Sequence, residues 1–396
     1  MPSDMADLTT PSLTRWLRVG HSGASEARRA GGEAAGQAIE DGEPKLLVVF
    51  STDSYDPHEL LAGIRSKAPG TPLIGCSTAG EIATSGPGDT SVVVMAMGGE
   101  GFSVATADKS ASEGLREAGI AVAACAQEVR DRPHRILLLL TDGLAGDQQE
   151  VVRGVYSVVG AEVPLVGGCA GDDLKMESTL QFHDDQVMSN AVVAAALGSD
   201  APLGIGVRHG WRRVGSPMLV SASDGNRVLT LDDEPALDVY LRGLCAPAEA
   251  ASDPAAFTRF ALTHPLGLQR RSGEEVRFVA GADFQDRSLT CVAHVPQGGL
   301  TWFMEGDSES VMAATDGACA EAVDQLAGAT PLGFLAFDCI ARRGVLGDMG
   351  IKQEVARISG HAAGAPVAGF YTYGEIARTR GTGGFHNQTL VVLAMA

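Results

Sequence analysis

A block that reads as strand, helix, short strand, glycine turn and strand occurs three times along the 396-residue chain, and it limits the possible fold more than any other feature. The apolar runs that open the three copies begin at Leu46, Ile136 and Phe334. Apolar runs without polar interruption indicate strands buried on both faces, as helices packed on a sheet produce. The sequence therefore predicts an α/β protein that is built from repeated units.

The same spacing of proline and glycine occurs late in each block. A proline starts the short strand, where its missing N–H costs least, and a glycine three residues later allows a turn or a close backbone approach. These segments are Pro72–Gly75, Pro164–Gly167 and Pro366–Gly369. A small residue, an acid and another glycine follow in the adjoining loops, which are the places where α/β sheets collect ligands.

The stretch from 203 to 306 has a different sequence pattern from the repeats. It reads as short strands with a hairpin signal at Asp224-Gly225-Asn226, and Gly-Ser-Asp-Ala-Pro at 198–202 looks like a joint. We therefore expect two mixed-sheet lobes of repeated strand-helix-strand-turn-strand units, with domains at 17–200 and 203–396. The second lobe is predicted to contain a β-rich insertion.

Charge and cysteine content exclude several classes of function. The chain has 30 Lys and Arg against 49 Asp and Glu, a net charge of −19 that repels nucleic acid and anionic lipid. Its seven cysteines form no CxxC pair and are odd in number, which favours a reducing compartment over a disulfide framework. No apolar run approaches the ~18 residues of a membrane span, and residues 1–12 lack a signal-peptide pattern. We expect a soluble, cytoplasmic protein.

Several longer motifs resemble those of a known family. Pro72–Glu81 and Leu165–Asp173 are similar to the N-terminal signature of FIST proteins (F-box and intracellular signal transduction), and Pro366–Ile376 followed by Phe385–Thr389 resembles their C-terminal signature. The resemblance extends over nearly the whole chain, from about Leu17 to Ala396. It implies a FIST N-terminal domain followed by a FIST C-terminal domain.

The resemblance also implies a function. FIST domains are sensory modules for small ligands such as amino acids, and they are associated with histidine kinases and cyclic-dinucleotide signalling proteins. A free-standing, NosP-type subset consists of haem-binding nitric oxide sensors, so the most specific expectation is a haem-based nitric oxide sensor that regulates a separate histidine kinase. The alternative is a FIST sensor of a free amino acid or another small ligand, without haem.

The polar residues of the glycine turns are candidates for ligand contacts. Carboxylates beside backbone amides could bind an amine, and hydroxyl groups could complete a polar pocket for a small zwitterion. Short acidic side chains also cap turns, which is the alternative interpretation. The candidate residues are Ser77, Glu81, Asp172, Tyr371, Tyr373 and Glu375.

Two cysteines and one histidine are candidates for ligation chemistry. Cys76 and Cys169 occupy matching positions after the repeat glycines; as thiolates they could bind haem or react with a signal molecule, and as thiols they would be small apolar fillers. His183 is the candidate axial ligand of haem, because the neighbouring Asp184 could orient its imidazole. A hydrogen bond to a loop is the alternative for His183.

The sequence favours a binding function over a catalytic one. The chain contains no GxxxxGK[ST], HExxH or GxSxG motif, and we therefore expect a protein that is not an enzyme. A thiol-dependent enzyme that uses Cys76 or Cys169 remains an alternative of another class, and so does a purely structural adaptor. Because no output motif is visible, any signal is expected to pass to a separate partner.

Overall fold

The computed structural model describes residues 14–270, 273–379 and 384–396, in which three equivalent units and one insertion can be traced. The first unit contains β1 (Trp16–Ser22), α1 (Ala27–Ile39), β2 (Pro44–Thr52), α2 (Pro57–Arg65), β3 (Leu73–Thr78), β4 (Glu81–Ala83), β5 (Gly86–Gly88) and β6 (Val92–Gly98). The second contains β7 (Phe102–Ser110), α3 (Leu115–Val122), β8 (His134–Thr141), α4 (Gln149–Val159), β9 (Leu165–Cys169), β10 (Gln181–His183), β11 (Gln186–Met188) and β12 (Ala191–Ser199).

The third unit has the same elements, but a long insertion separates its first strand from its first helix. It begins with β13 (Leu203–Arg208). The insertion contains β14 (Arg212–Asp224), β15 (Arg227–Leu231), β16 (Glu234–Pro235), α5 (Ala236–Gly243), α6 (Pro254–Ala261), β17 (Leu266–Arg270), β18 (Gly273–Arg277), β19 (Val279–Asp283), β20 (Ser288–Cys291) and β21 (Leu300–Glu305). The unit continues with α7 (Ser308–Asp324), β22 (Gly333–Cys339), α8 (Ile340–His361), β23 (Val367–Thr372), β24 (Glu375–Arg378), β25 (Phe385–His386) and β26 (Leu390–Met395).

Three six-stranded sheets share one strand order. They run β1-β6-β2-β3-β10-β11, β7-β12-β8-β9-β24-β25 and β13-β26-β22-β23-β4-β5. In each sheet the central strand pairs in parallel with the short strand and antiparallel with the last strand of its unit. The insertion forms a separate sheet, β18-β17-β21-β14-β15-β20-β19, in which β16 also pairs with β15.

The outer hairpin of every six-stranded sheet comes from another unit. The first unit places β4 against β23 of the third, the second places β10 against β3 of the first, and the third places β24 against β9 of the second. The three units therefore exchange hairpins in a closed ring. Each sheet is complete only when two units are present.

The three repeat glycines explain how the short strands fit against the central strands. A Cβ atom at Gly75, Gly167 or Gly369 would lie 2.5, 1.9 or 2.0 Å from a backbone oxygen of the neighbouring strand. Real Cβ atoms do not approach other atoms so closely, so the predicted close backbone approach is confirmed. The central strands β2, β8 and β22 are buried on both faces as the apolar runs predicted.

The sequence predictions of fold class hold, with local corrections. The α/β class, the mixed sheets, the repeated units and the β-rich insertion are confirmed. The segment Gly204–Arg208 was expected among the strands of the β-rich section, but as β13 it pairs with β26 of the third sheet. Helix α3 ends at Val122 and is followed directly by a 3₁₀ helix, Ala123–Val129.

A break in one long helix affects the site described below. Helix α8 (Ile340–His361) is interrupted at Gly347, where φ is 63°. The division into domains at 17–200 and 203–396 stays a prediction, and strands from each part complete sheets of the other. Among the described helices, none has the length and apolar character that a membrane crossing requires.

Candidate functional site

The turns that follow β3, β9 and β23 meet at one place, which we call the junction (residues 77–81, 169–173 and 371–375). Backbone hydrogen bonds join them in pairs: Gly171 N to Ser77 O (3.0 Å), Ala79 N to Tyr371 O (3.1 Å) and Tyr373 N to Cys169 O (3.2 Å). The structure therefore brings together the glycine turns of all three repeats. The candidate ligand contacts named from the sequence lie in the junction or directly beside it.

Glu81 and Glu375 occupy equivalent places in the first and third units. Thr78 donates its hydroxyl to Glu81 (2.6 Å) and Ser91 donates to the other oxygen of the same carboxylate (2.5 Å). Burial raises the pKa of Glu81 to about 7. The carboxyl group is therefore close to its titration point at neutral pH, although every oxygen is already hydrogen-bonded.

The surroundings of Glu375 repeat this pattern. Thr372 donates its hydroxyl (2.5 Å), and Thr389 donates both its backbone N–H (3.0 Å) and its hydroxyl (2.7 Å). Burial raises the pKa of Glu375 to about 7 as well. Each glutamate thus ties its own glycine turn to the residue that precedes the last strand of its unit.

Asp172 has a different task in the second unit. Its carboxylate accepts hydrogen bonds from the Tyr373 hydroxyl (2.5 Å) and from the backbone N–H groups of Met176, Glu177 and Ser178 (3.0, 2.7 and 3.0 Å). Burial acts to raise the pKa of Asp172, but these hydrogen bonds outweigh it and the pKa is lowered. Asp172 therefore performs the turn-capping role that the sequence offered as the alternative to ligand binding.

The two cysteines and Ser77 are part of the packed interior. Burial, and then the proximity of Cys169, raises the pKa of Cys76 well above its ordinary value. Burial also raises the pKa of Cys169 to about 12, and its sulfur accepts a hydrogen bond from Thr141 (3.2 Å). Both thiols stay protonated at neutral pH, which favours the filler interpretation. Ser77 donates its hydroxyl to the Gly171 carbonyl (2.7 Å).

His183 lies on β10, next to the strand β7 rather than at the junction. Its Nδ1 contacts Asp108 Oδ1 (2.6 Å) and its Nε2 contacts Thr106 Oγ1 (3.0 Å). A carboxylate therefore orients the imidazole, but the carboxylate belongs to Asp108 rather than to the expected Asp184. Because both ring nitrogens are engaged, a haem iron could bind His183 only after one of these contacts is broken. The residues present do not fit an axial site in this arrangement.

A buried charged group that sequence reasoning missed lies between α7 and α8, and we call it the buried cluster (Thr315, Asp338, Arg342, Glu354 and the Tyr371 hydroxyl). Arg342 donates to Asp338 Oδ1 (2.7 Å), to Glu354 Oε1 (2.5 Å) and to Thr315 Oγ1 (2.9 Å). All five side chains are fully buried. Burial, and then the charge of Glu354, raises the pKa of Asp338 well above its ordinary value.

Tyr371 connects the buried cluster to the junction. Its backbone pairs with Gly80 and Ala79 in the junction, while the charges of Asp338 and Glu354, after burial, raise the pKa of its phenol. The guanidinium of Arg343 lies 5.0 Å from the centre of the Tyr371 ring and donates to the Ala79 carbonyl (2.7 Å). The phenol therefore stays neutral beside the buried cluster, while the backbone of the same residue pairs with the first unit.

Two cavities lie near α7. One, of about 430 Å³, is a groove between α7 and the second half of α8, lined in part by Met312, Asp316, Gln353 and Arg357. The other, of about 560 Å³, lies at the start of α7 beside Arg208, Trp211 and Arg212. Both are within the size range of small-molecule sites.

Within the part of the chain that the structure describes, no group of three or more His, Cys, Asp or Glu is suited to a metal ion.

Comparison with known families decides the identity of the chain. A model of the FIST N domain matches residues 45–234, and a model of the FIST C domain matches residues 236–378. The chain belongs to the FIST family. FIST domains imply a sensor of small ligands in signal transduction, and both matched regions contribute residues to the junction of this FIST protein.

Relatives of this FIST protein occur in distant organisms. An uncharacterized protein of Mycobacterium tuberculosis strain H37Rv is 24% identical over 383 residues, which cover 94% of this chain and 97% of the relative. A protein of Methanocaldococcus jannaschii, also uncharacterized, is 24% identical over 256 residues, covering 58% of this chain and 48% of the relative. The first similarity extends through both FIST domains.

The buried cluster lies wholly within the matched FIST C region. One signal in the sequence could have revealed part of it: an acid, Asp338, stands near the end of a buried apolar strand, and a base, Arg342, follows four residues later in the first turn of the next helix. Thr315 and Glu354 give no such signal, because they reach the cluster from more distant positions on α7 and α8.

Proposed function

We propose that this FIST protein is a cytoplasmic sensor that binds a small ligand where its three units meet and signals through a separate protein, without catalysing a reaction. The observation that carries the proposal is the junction, because it joins turns from all three units by backbone hydrogen bonds. A ligand that contacts the junction can therefore act on three sheets at once.

Signalling follows from a shift between conformations. A ligand changes the equilibrium only if it binds one arrangement more tightly than another. Arg343, at the start of α8, holds the first unit through the Ala79 carbonyl and through an ion pair with Asp89. Movement of α8 on binding would therefore reach the hairpin β4–β5, and the altered surface there is what a partner could read.

The geometry favours a ligand other than haem. His183 has both ring nitrogens in hydrogen bonds, and the Cys76 and Cys169 thiols are protonated at neutral pH. We rank a free amino acid or another small polar ligand above the haem-based nitric oxide sensor. The separate partner remains the one expected from the family, a histidine kinase or a cyclic-dinucleotide signalling protein. The protonated thiols also argue against a thiol-dependent enzyme.

Two measurements test the proposal. The protein is produced with haem supplied, and its absorption spectrum is recorded with and without nitric oxide; the thermal midpoint is then measured against a panel of free amino acids and simple amines. We expect no Soret band and a rise in the midpoint with a restricted set of ligands.

The contrary outcomes are distinct. A Soret band that nitric oxide shifts, and that His183→Ala abolishes while the exposed-site control His58→Ala keeps it, would establish the haem alternative. A colourless protein that no member of the panel stabilises would contradict the small-ligand sensor itself.

A further inference from the structure

The turn after β9 is longer than its two counterparts in the other units. Between β9 and β10 the chain runs through residues 170–180, whereas residues 79–80 and 373–374 make the equivalent connections in the first and third units. The additional residues of the second unit form a surface segment, which we call the exposed loop (residues 173–178). The exposed loop therefore breaks the equivalence of three turns that otherwise match at the junction.

Two large apolar side chains of the exposed loop are open to solvent. Leu174 is 60% exposed and Met176 is 61% exposed. They are separated by a single residue along the chain. Single exposed apolar residues are ordinary on a protein surface, whereas neighbouring ones are typical of a contact with another molecule.

The backbone of the exposed loop is strained where these side chains are attached. Asp173, Leu174 and Met176 have φ of 55°, 63° and 57°, in the left-handed region that residues other than glycine seldom adopt. Asp tolerates this region, but it is unfavourable for long apolar side chains. Strain of this kind persists only where the surrounding structure fixes it, and it concentrates at functional positions. Glycine at 174 or 176 would remove the strain, so we infer a use for the two side chains themselves.

Contacts from all three units hold the exposed loop. In the second unit, the Asp172 carboxylate accepts hydrogen bonds from three backbone N–H groups of the loop. The Tyr373 hydroxyl of the third unit accepts a hydrogen bond from the Leu174 N–H (2.7 Å). Asp53 of the first unit forms an ion pair with Lys175 (2.6 Å). The position of the loop therefore depends on how the three units are arranged.

The charges beside the two apolar side chains are negative. Asp173 and Glu177 are exposed, and the described residues provide neither of them with an ion pair, whereas Lys175 is neutralised by Asp53. The whole chain has a net charge of −19. An apolar recess bordered by Lys and Arg is the surface that complements such a loop. A second copy of the chain would bring like charges together, and anionic lipid would be repelled for the same reason.

We propose that Leu174 and Met176 are the docking surface for the separate signalling protein, which receives them in an apolar recess bordered by basic residues. This inference deepens the proposed function and rests on it. Because the exposed loop is held by three units, a ligand that changes their arrangement would shift the loop. The loop thus transmits the effect of the ligand to the partner, together with the surface at β4–β5.

Crosslinking in the organism that encodes the protein identifies the partner. The photoreactive residue p-benzoylphenylalanine is introduced into the full-length protein in place of Leu174, and in separate strains in place of Ser85, between β4 and β5, and of Ile120, on α3. Ile120 is the control position, because it is an apolar residue that is 42% exposed and lies outside the loop. We expect a protein adduct at 174 that is absent at 120.

Binding of the purified partner decides the question, because an adduct alone does not show where the binding energy lies. Titration calorimetry should show that Leu174→Ser and Met176→Ser each weaken binding about tenfold or more. Asp173→Asn combined with Glu177→Gln should reduce the salt dependence of the affinity. Met349→Ser is the matched control: Met349 is 69% exposed on α8, and its replacement should leave the affinity unchanged.

Met176→Gly separates binding from folding. Glycine adopts positive φ without a steric penalty, so this variant should unfold at the temperature of the unmodified protein or above it, while its affinity for the partner falls as in Met176→Ser. A lower unfolding temperature would show that the Met176 side chain stabilises the loop itself, and would overturn the argument from strain.

The results separate this inference from the proposed function. If the partner forms adducts only at 85, or binds the Ser and Gly variants as tightly as the unmodified protein, the docking surface is wrong and the sensor function stands. An adduct at 174 with a second copy of the chain, or with a lipid, would also overturn the docking surface. If no position yields a partner protein, signalling through a separate protein fails together with this inference, whereas the ligand panel tests ligand binding independently.

Discussion

The glutamates of the junction and the acids of the buried cluster are all fully buried, but their carboxyl groups have different partners. In the junction both oxygens of Glu375 accept hydrogen bonds from Thr372 and Thr389. In the cluster, Asp338 and Glu354 each direct one oxygen to Arg342, while burial, the charge of Glu354 and a hydrogen bond to it raise the pKa of Asp338. Buried acids are therefore held in two ways in this protein. Hydroxyl and amide donors hold those of the junction, and a guanidinium with a shared proton holds those of the cluster.

The largest expected effect comes from removing the only guanidinium inside the cluster. Arg342→Met leaves Asp338 and Glu354 buried without a counter-charge, and should lower the free energy of unfolding by about 3–5 kcal/mol at neutral pH. Urea denaturation measures this change. Arg343→Met is the matched control, since Arg343 pairs with the exposed Asp89 and should cost about 1 kcal/mol. If the two variants lost the same free energy of unfolding, Arg342 would not be neutralising a buried negative charge.

The second largest effect is a pH dependence of stability, which comes from the two glutamates of the junction. The pKa values of Glu81 and Glu375 are raised to about 7, whereas a glutamate in the unfolded chain titrates near 4.5. The folded protein therefore binds more protons between these values, so their contribution to stability is full below about pH 4.5, declines as the pH rises, and is lost above about 7. Each group should account for about 3 kcal/mol.

Denaturation at pH 5 and pH 8 checks this sign. Glu375→Gln should be more stable relative to the unmodified protein at pH 8 than at pH 5, and Glu81→Gln should show the same difference because its surroundings are equivalent. A variant that loses stability equally at both pH values would show that ionisation of the carboxyl group is not opposed by burial.

The smallest effect concerns the junction acid of the second unit. Asp172→Ala leaves three backbone N–H groups and the Tyr373 hydroxyl without their acceptor, and should cost about 2 kcal/mol. Hydrogen exchange of the amides of residues 176–178 should accelerate in step with the loss of stability. Asp172→Asn, which keeps one acceptor oxygen, should cost about half as much. Unchanged exchange would indicate that the loop is ordered by other contacts.

The sequence was sufficient for the repeated unit but not for the way the units combine. Apolar runs and the Pro–Gly spacing are local, so they predicted the same succession of strands, helix and turn along each copy. The destination of a hairpin is not local: β4 has the same residues whether it pairs within its own unit or with β23. The sequence did not predict the break at Gly347 either, because a glycine can end a helix, interrupt it or be tolerated within it, and the local pattern does not distinguish these cases.

The sequence likewise predicted one part of the candidate site and not the rest. The turns that contain Ser77, Cys169 and Tyr371 converge, because the repeat places them at equivalent strand ends. The sequence did not reveal that their polar atoms would be used within the protein. Nor did it point to Glu354, because a lone acid on a helix is most often exposed. Ligand contacts by the junction residues and by His183 therefore stay predictions.

The ring of exchanged hairpins also bears on synthesis. The second sheet cannot be finished until Glu375–Arg378 has left the ribosome, although its other strands emerge long before. A nascent chain at that stage exposes the open edge of β9, which can pair with a strand of a neighbouring molecule. The second sheet therefore closes only after residues 375–378 have been synthesised, and shortened chains that end before β24 should be prone to aggregate.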